Sequence, residues 1–164
     1  MADLRLKAYG AAAVVFALDR LTKWIIETRV SFFDSYPVIP GFFDIVRSQN
    51  RGVAFGLFND STSEWRTTLL VAASVAAVGL VTVMLWNASR LDRLSLCGLV
   101  LILGGAAGNV YDRIVAGQVT DFLDFYIGHY HWYTFNLGDS AIVIGSGLLL
   151  IHLFRAKEQA ANVP

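Results

Sequence analysis

Between Gly108 and Ser140 the chain collects Asn109, Asp112, Arg113, Asp121, Asp124, Asn136 and Asp139. One apolar run leads into this stretch and another leads out of it, so its acids stand near the ends of two candidate membrane helices. Ionisable groups are costly at that depth, and an acid kept there marks a functional site. Asp121 and Asp139 are 18 residues apart, one after the first run and one at the start of the second. Antiparallel helices joined by a single loop would bring both to the same level. Two carboxylates at close range do not both ionise readily, so they share a proton. One then acts as base toward a water, and the other as acid toward a carbonyl or a leaving amine. That equipment suffices for amide hydrolysis without a covalent intermediate. A plainer reading makes Asp139 the N-cap of the following helix and Asp121 a solvated loop acid. Asp124 competes with Asp121, because on a helix the two would share a face. Spacing leaves that choice open.

Other polar residues could support such a site. Asn109 and Arg113 are one helical turn apart, and Arg113 could bind a substrate backbone or pair with Asp112. Gly104 and Gly108 would let a neighbouring helix approach closely. Asp19 and Lys23 form an i, i+4 pair, either a local ion pair or a buried support. Asn50-Arg51-Gly52 reads as a turn. His129 and His131 could suit a metal on a strand, but no third ligand is evident, so no metal or cofactor is expected. Ser140 has no base partner other than the acids, and no Gly-x-Ser-x-Gly motif occurs. The one cysteine, Cys97, lies inside an apolar run, where it cannot form an intramolecular disulfide. A nucleophile mechanism is therefore not expected.

The elements that must position these groups follow from composition. The 164 residues are 55% hydrophobic and 16% charged, against about 25% charged in soluble domains. A formal net charge of zero gives no basic surface for nucleic acid. Four segments approach the roughly 17–25 apolar residues of a membrane span: about 7–26, 67–89, 94–111 and 138–154. The first has no small-x-small cleavage site after its core and continues into Asp19-Arg20, so it is expected to stay as a helix. With four spans, the termini and the middle loop share one side. Those flanks hold six Lys/Arg against three acids, which places both termini in the cytoplasm and the acid-rich helix ends outside. Between the first two spans, Pro37–Gly41 signals a turn. Phe42–Val46 and Val53–Phe58 read as strands of a small β-structure over about 30–62. The region 114–133, ending in Tyr130, Trp132 and Tyr133, is expected to form a short interfacial helix.

Taken in order, Asp19-Arg-Leu-Thr-Lys23, Asn50-Arg-Gly52-Val-Ala54-Phe55, Gly104-Gly-Ala-Ala-Gly-Asn109-Val-Tyr-Asp112-Arg113, Val119-Thr-Asp121-Phe122 and Phe135-Asn136-Leu-Gly-Asp139-Ser140-Ala141 resemble the lipoprotein signal peptidases (signal peptidase II) of bacteria. The blocks span residues 19–141. The resemblance implies a membrane protein of four transmembrane helices, otherwise all-α, with a periplasmic β-cradle and a short periplasmic helix before the fourth span. It implies an aspartyl peptidase of the inner membrane that cuts diacylglyceryl-modified prolipoproteins just before the lipidated cysteine, contacts membrane lipids and is a target of globomycin-type inhibitors. It assigns the dyad to Asp121 and Asp139, and support to Asp19, Lys23, Asn50, Gly52, Asn109, Asp112, Arg113 and Asn136. Thr120 departs from the family pattern, standing where a branched aliphatic is common. A rival class is a proton-coupled carrier that relays protons along membrane acids. It would need a polar path through the bilayer, yet the second and third spans carry no charged residue. A non-enzymatic scaffold, with the acids only capping helices, is the third class.

Overall fold

The computed structural model describes residues 2–52 and 64–161. Helix α1 (Ala2–Arg29) leads into strands β1 (Ser35–Ile39) and β2 (Phe43–Asn50). Helices α2 (Glu64–Trp86) and α3 (Arg93–Ala116) follow, with a short 3-10 turn between them. Then come strands β3 (Val119–Ile127) and β4 (Tyr130–His131), and finally helix α4 (Leu137–Ala161). The chain is thus mostly helical with one small antiparallel sheet, ordered β1-β2-β3-β4. Three of the four expected apolar segments lie wholly in helices, and the second, 67–89, lies in α2 up to Trp86 and ends in the 3-10 turn. α3 and α4, over Arg93–Ala116 and Leu137–Lys157, are long and apolar enough to cross a membrane. α2 contributes a shorter apolar stretch, Val71–Trp86, and α1 has an apolar middle from Ala8 to Leu18, followed by Asp19, Arg20 and Lys23.

Local chemistry sets the helix boundaries. Asp92 caps α3 by accepting the backbone N–H groups of Leu94 (2.9 Å) and Ser95 (3.1 Å). Gly117, with φ of 70°, ends α3 in the left-handed conformation that costs glycine nothing. The Pro40-Gly41 turn is closed by the Phe42 N–H donating to the Ile39 carbonyl at 3.0 Å.

Two expectations need correction. Residues 119–127 and 130–131, within the expected interfacial helix, form strands instead. Val119-Thr-Asp-Phe-Leu-Asp-Phe-Tyr-Ile127 is β-branched and aromatic, the composition that fits a pleated, half-buried surface, and β2 offers it a pairing edge from Phe43↔Phe125 to Asn50↔Val119. The β-structure is accordingly not confined to 30–62, because half of its strands come from after α3. The strand expected over Val53–Phe58 lies outside the described residues.

Apolar packing divides between the two ends of the bundle. At one end Ala8 and Ala12 of α1 meet Val81 and Leu85 of α2 and Leu99 and Leu103 of α3. At the other, Ile26 and Val30 pack on Phe122 of β3. From Ala8 to Ile26 is a rise of about 27 Å at 1.5 Å per residue. Asp19 and Lys23 lie between these two clusters, toward the sheet.

Candidate active site

The α3 glycines make the first contribution by letting the helices close up. A methyl group on Gly105 would stand 2.3 Å from the Gly138 carbonyl oxygen of α4, and one on Gly108 would stand 2.1 Å from Asp19 Oδ2. Close helix approach is therefore a property of these positions, as the four-residue spacing of Gly104 and Gly108 suggested. Gly108 also makes room for a carboxylate.

That carboxylate belongs to a buried charge cluster. Asp19 and Lys23 are both 0% exposed. Lys23 Nζ donates to Asp19 Oδ2 at 2.7 Å and to Asn109 Oδ1 at 2.8 Å. It also lies 2.8 Å from Asp112 Oδ2, as an ion pair without hydrogen-bond alignment. Arg20 pairs with the other Asp112 oxygen and stacks over Tyr111. Two acids thus meet two cations, and the cluster is formally neutral. Burial of unpaired charge would cost several kcal/mol per ion, so this balance is what permits the cluster. The remaining Asp19 oxygen accepts the Gly138 N–H at 2.7 Å, which ties α1 to the first turn of α4.

Asn109 carries the cluster's influence to Asp139, donating from Nδ2 to Asp139 Oδ1 at 2.8 Å. Asp139 itself is not the N-cap. Asn136 is: its Oδ1 accepts the Asp139 N–H at 2.9 Å, while Asp139 Oδ2 accepts the Asn136 N–H at 3.2 Å. This is a reciprocal capping box with Asp in the third position. The plainer reading therefore caught a real function of Asp139 but assigned the cap to the wrong residue.

Asn136 also serves the second acid. With its Oδ1 taken by the Asp139 N–H, its Nδ2 donates to Asp121 Oδ1 at 2.6 Å. Asn50 Nδ2 donates to Asp121 Oδ2 at 3.1 Å. Sheet register accounts for that contact. Ser48 pairs with Asp121 and Asn50 with Val119, so Asn50 is the diagonal neighbour of Asp121 on the same face. Asn50 is held by the expected turn, its Oδ1 accepting the Gly52 N–H at 2.9 Å. Arg113 closes the ring, donating to the Gly52 carbonyl at 2.9 Å and to the Asn109 carbonyl at 3.2 Å. It makes no pair with Asp112, whose cations are Arg20 and Lys23.

β3 also separates the competing acids. Strand residues three apart point to opposite faces. Asp121 faces Asn50 and Asn136, whereas Asp124 faces away and meets His131 Nδ1 at 2.9 Å. His131 is thus engaged by Asp124, and among the described residues no group of three or more His, Cys, Asp or Glu could hold a metal.

Asp121 is 1% exposed. Burial, and then the nearby charge of Asp139, push its carboxyl up to about 6, against the hydrogen bonds from Asn136 and Asn50. Proximity, unequal environments and a shared proton are what an acid–base pair needs. Beside the pair opens a cleft of about 400 Å³, with Asn50 and Asp139 at its polar end and Trp132, Phe135, Val143 and Ile144 along its apolar walls. An extended or helical apolar peptide could lie there with one peptide bond at the acids.

All ten residues singled out in the sequence converge on this one place. Arg20 was missed. Its signal was the charge count, since Asp19, Lys23 and Asp112 without a fourth charge would leave a net negative buried group.

Comparison with known proteins agrees with this geometry. The family model for signal peptidase (SPase) II matches residues 11–155. A lipoprotein signal peptidase of Solibacter usitatus is 69% identical over 163 residues, covering 99% of each chain. Another, of Nitratidesulfovibrio vulgaris, is 44% identical and covers 89% of this chain and 88% of its own. Two bacterial membrane enzymes solved by the in meso method superpose with TM-scores of 0.83 and 0.78. They are 27% and 28% identical and cover 96% and 90% of this chain, and 93% and 92% of their own. Nothing in these matches supports a carrier. Helix packing, buried charge cluster and paired carboxylates thus occur in a chain that belongs to the signal peptidase II family of aspartic-type peptidases.

Proposed function

We propose that this protein removes the signal peptide from diacylglyceryl-modified prolipoproteins, cutting before the lipidated cysteine, with Asp121 and Asp139 as its catalytic pair. The observation that carries the reading is Asn136, which binds both acids at once and sits under Asp139 where that acid lines an apolar cleft. Asp121, pushed up to about 6, holds the shared proton. Asp139, fixed by Asn109 and the helix cap, takes a proton from the attacking water. The water adds to the carbonyl before the modified cysteine, and the proton on Asp121 passes to the departing amine. Arg113, Asn109 and Asn50 orient the substrate backbone.

All four helices cross the bacterial inner membrane in this reading, with both termini cytoplasmic and the sheet at the periplasmic face. The exposed apolar faces of α2 and α4, including Leu80, Val83, Leu150 and Leu153, meet lipid. The diacylglyceryl chains stay in the bilayer while the peptide enters the cleft. The same cleft would take globomycin-type inhibitors. Asp121→Asn and Asp139→Asn should each abolish cleavage of a lipidated prolipoprotein in detergent while the unfolding temperature stays close to wild type. Full turnover by either variant would sink the assignment.

A further inference from the structure

Asp121 is held from both sides of its strand. On its own face it meets Asn50 and Asn136. On the opposite face, its neighbours Thr120 and Phe122 look toward the last turns of α1. Phe122 packs on Ile26 and Val30. Thr120, only 6% exposed, donates its hydroxyl to Glu27 Oε1 at 2.7 Å. Glu27 is anchored in turn, because Arg47 of β2 donates to its backbone carbonyl at 2.9 Å and reaches the Val30 carbonyl at 3.4 Å. β2 and β3 are paired here, with Gln49 opposite Thr120. The same helix, one turn earlier, carries Lys23, which orients Asn109 toward Asp139. One rigid element thus indexes both acids, through Lys23 on one branch and Glu27 on the other.

We propose that the Thr120–Glu27 hydrogen bond is a positioning device for Asp121, fixing from behind the strand the height at which its carboxyl meets Asn136 and Asp139. The proposal rests on the catalytic reading of Asp121. A packing contact such as Phe122 on Ile26 resists separation but allows sliding. A hydrogen bond with a defined donor and acceptor resists both.

The test uses the full-length enzyme in detergent with a lipidated prolipoprotein, comparing Thr120→Val, Thr120→Ser, Glu27→Ala and Glu27→Gln with Asp121→Asn. Valine keeps the shape of threonine and removes the donor, whereas serine and glutamine keep the donor and the acceptor. Misplacing a reacting group by an ångström costs up to about a hundred-fold in rate, so T120V and E27A should lose about ten-fold in kcat with KM within about two-fold. T120S and E27Q should keep at least half of kcat. A T120V enzyme with wild-type kcat, a loss that falls in KM alone, or a T120S enzyme as impaired as T120V would overturn the proposal. Should T120V fail to fold, E27A against E27Q decides by the same criteria. An active D121N would overturn the catalytic reading and the tether together, whereas an inactive D121N beside an unimpaired T120V and E27A overturns the tether alone.

Discussion

Lys23 Nζ lies 2.8 Å from Asn109 Oδ1, and that contact decides which end of the Asn109 amide meets Asp139. An ammonium can only donate, so it must face the amide oxygen. The NH2 group is then left for Asp139 Oδ1. Asn136 is oriented by the same logic, since the Asp139 N–H takes its oxygen and leaves its NH2 for Asp121. Two asparagines whose ends could otherwise exchange are each locked with donors toward an acid. A buried lysine that touches neither acid therefore sets the hydrogen bonding of one of them.

Replacing Lys23 separates its two duties. Lys23→Met leaves Asp19 buried without a cation and should cost about 3–5 kcal/mol of stability, as breaking a buried pair does. Asp19→Asn with Lys23→Met removes both charges, and the asparagine can still accept the Gly138 N–H through Oδ1. Chemical or thermal unfolding in detergent should show most of the loss recovered in the double variant. Activity should not recover, because Asn109 is no longer oriented. A deficit of about 1.4 kcal/mol in transition-state stabilisation, ten-fold in rate, is the minimum expected. A double variant with wild-type turnover would show that Lys23 serves stability alone.

Asp121 makes a pH prediction with a definite sign. Its folded value, about 6, is above the ordinary aspartate value of 3.8, so the folded state binds this proton more tightly than the unfolded one. The stability it contributes is present in full below about pH 4 and is lost as pH rises toward 6, by at most roughly 3 kcal/mol. The unfolding temperature of the wild type should therefore fall between pH 4 and 6, with this component missing in Asp121→Asn. kcat/KM should decline as pH rises above about 6, because the proton for the leaving amine is then lost. Parallel unfolding profiles for wild type and D121N would contradict the assignment.

Much of this was legible in the sequence because the informative signals are local. Apolar runs located four helices. Asn50-Arg51-Gly52 announced a turn, and the resemblance carried by the ordered polar blocks pointed to residues that the fold brings together. The misreadings have a different origin. Residues 119–127 could be read as a helix because an isolated segment does not show the β2 edge it will pair with, and pairing is long-range. The Asp121/Asp124 ambiguity came from that same error, since a period of 3.6 puts the two acids together and a period of 2 puts them apart. The Asn136 cap was obscured because an Asp before an apolar run looks like a cap by itself. Only the structure shows Asp139 one turn in, returning the bond.

The strand geometry predicts that Asp124 is dispensable for catalysis. It lies on the face away from Asp121, paired with His131, whose side chain is half exposed, and its cross-strand neighbour is another acid, Asp44. Like charges directly opposite are unfavourable. Asp124→Asn relieves that repulsion and keeps an oxygen that can accept from His131, so stability should change by less than about 1.5 kcal/mol. Cleavage of a lipidated substrate should stay within about two-fold of wild type. A loss comparable to that of Asp121→Asn would return Asp124 to the site.

Glycine substitutions offer a structural test with an internal control. A methyl group at Gly108 would meet Asp19 Oδ2 at 2.1 Å. Asp19 cannot yield, because Lys23 holds that same oxygen and the Gly138 N–H holds the other. Gly108→Ala must therefore either part α3 from α1 or break the charge cluster, and overpacking of this kind costs about 1–3 kcal/mol. Gly79 in α2 has nothing within 4 Å of the same added atom. Gly79→Ala should be neutral or gain up to about 1 kcal/mol from helix propensity. Unfolding temperatures in one detergent should move in opposite directions, or only the Gly108 variant should fall. Activity should follow Gly108, since displacing Asp19 releases Lys23 from the geometry that orients Asn109. Equal behaviour of the two variants would mean that the close approach at Gly108 is not what holds the cluster in place.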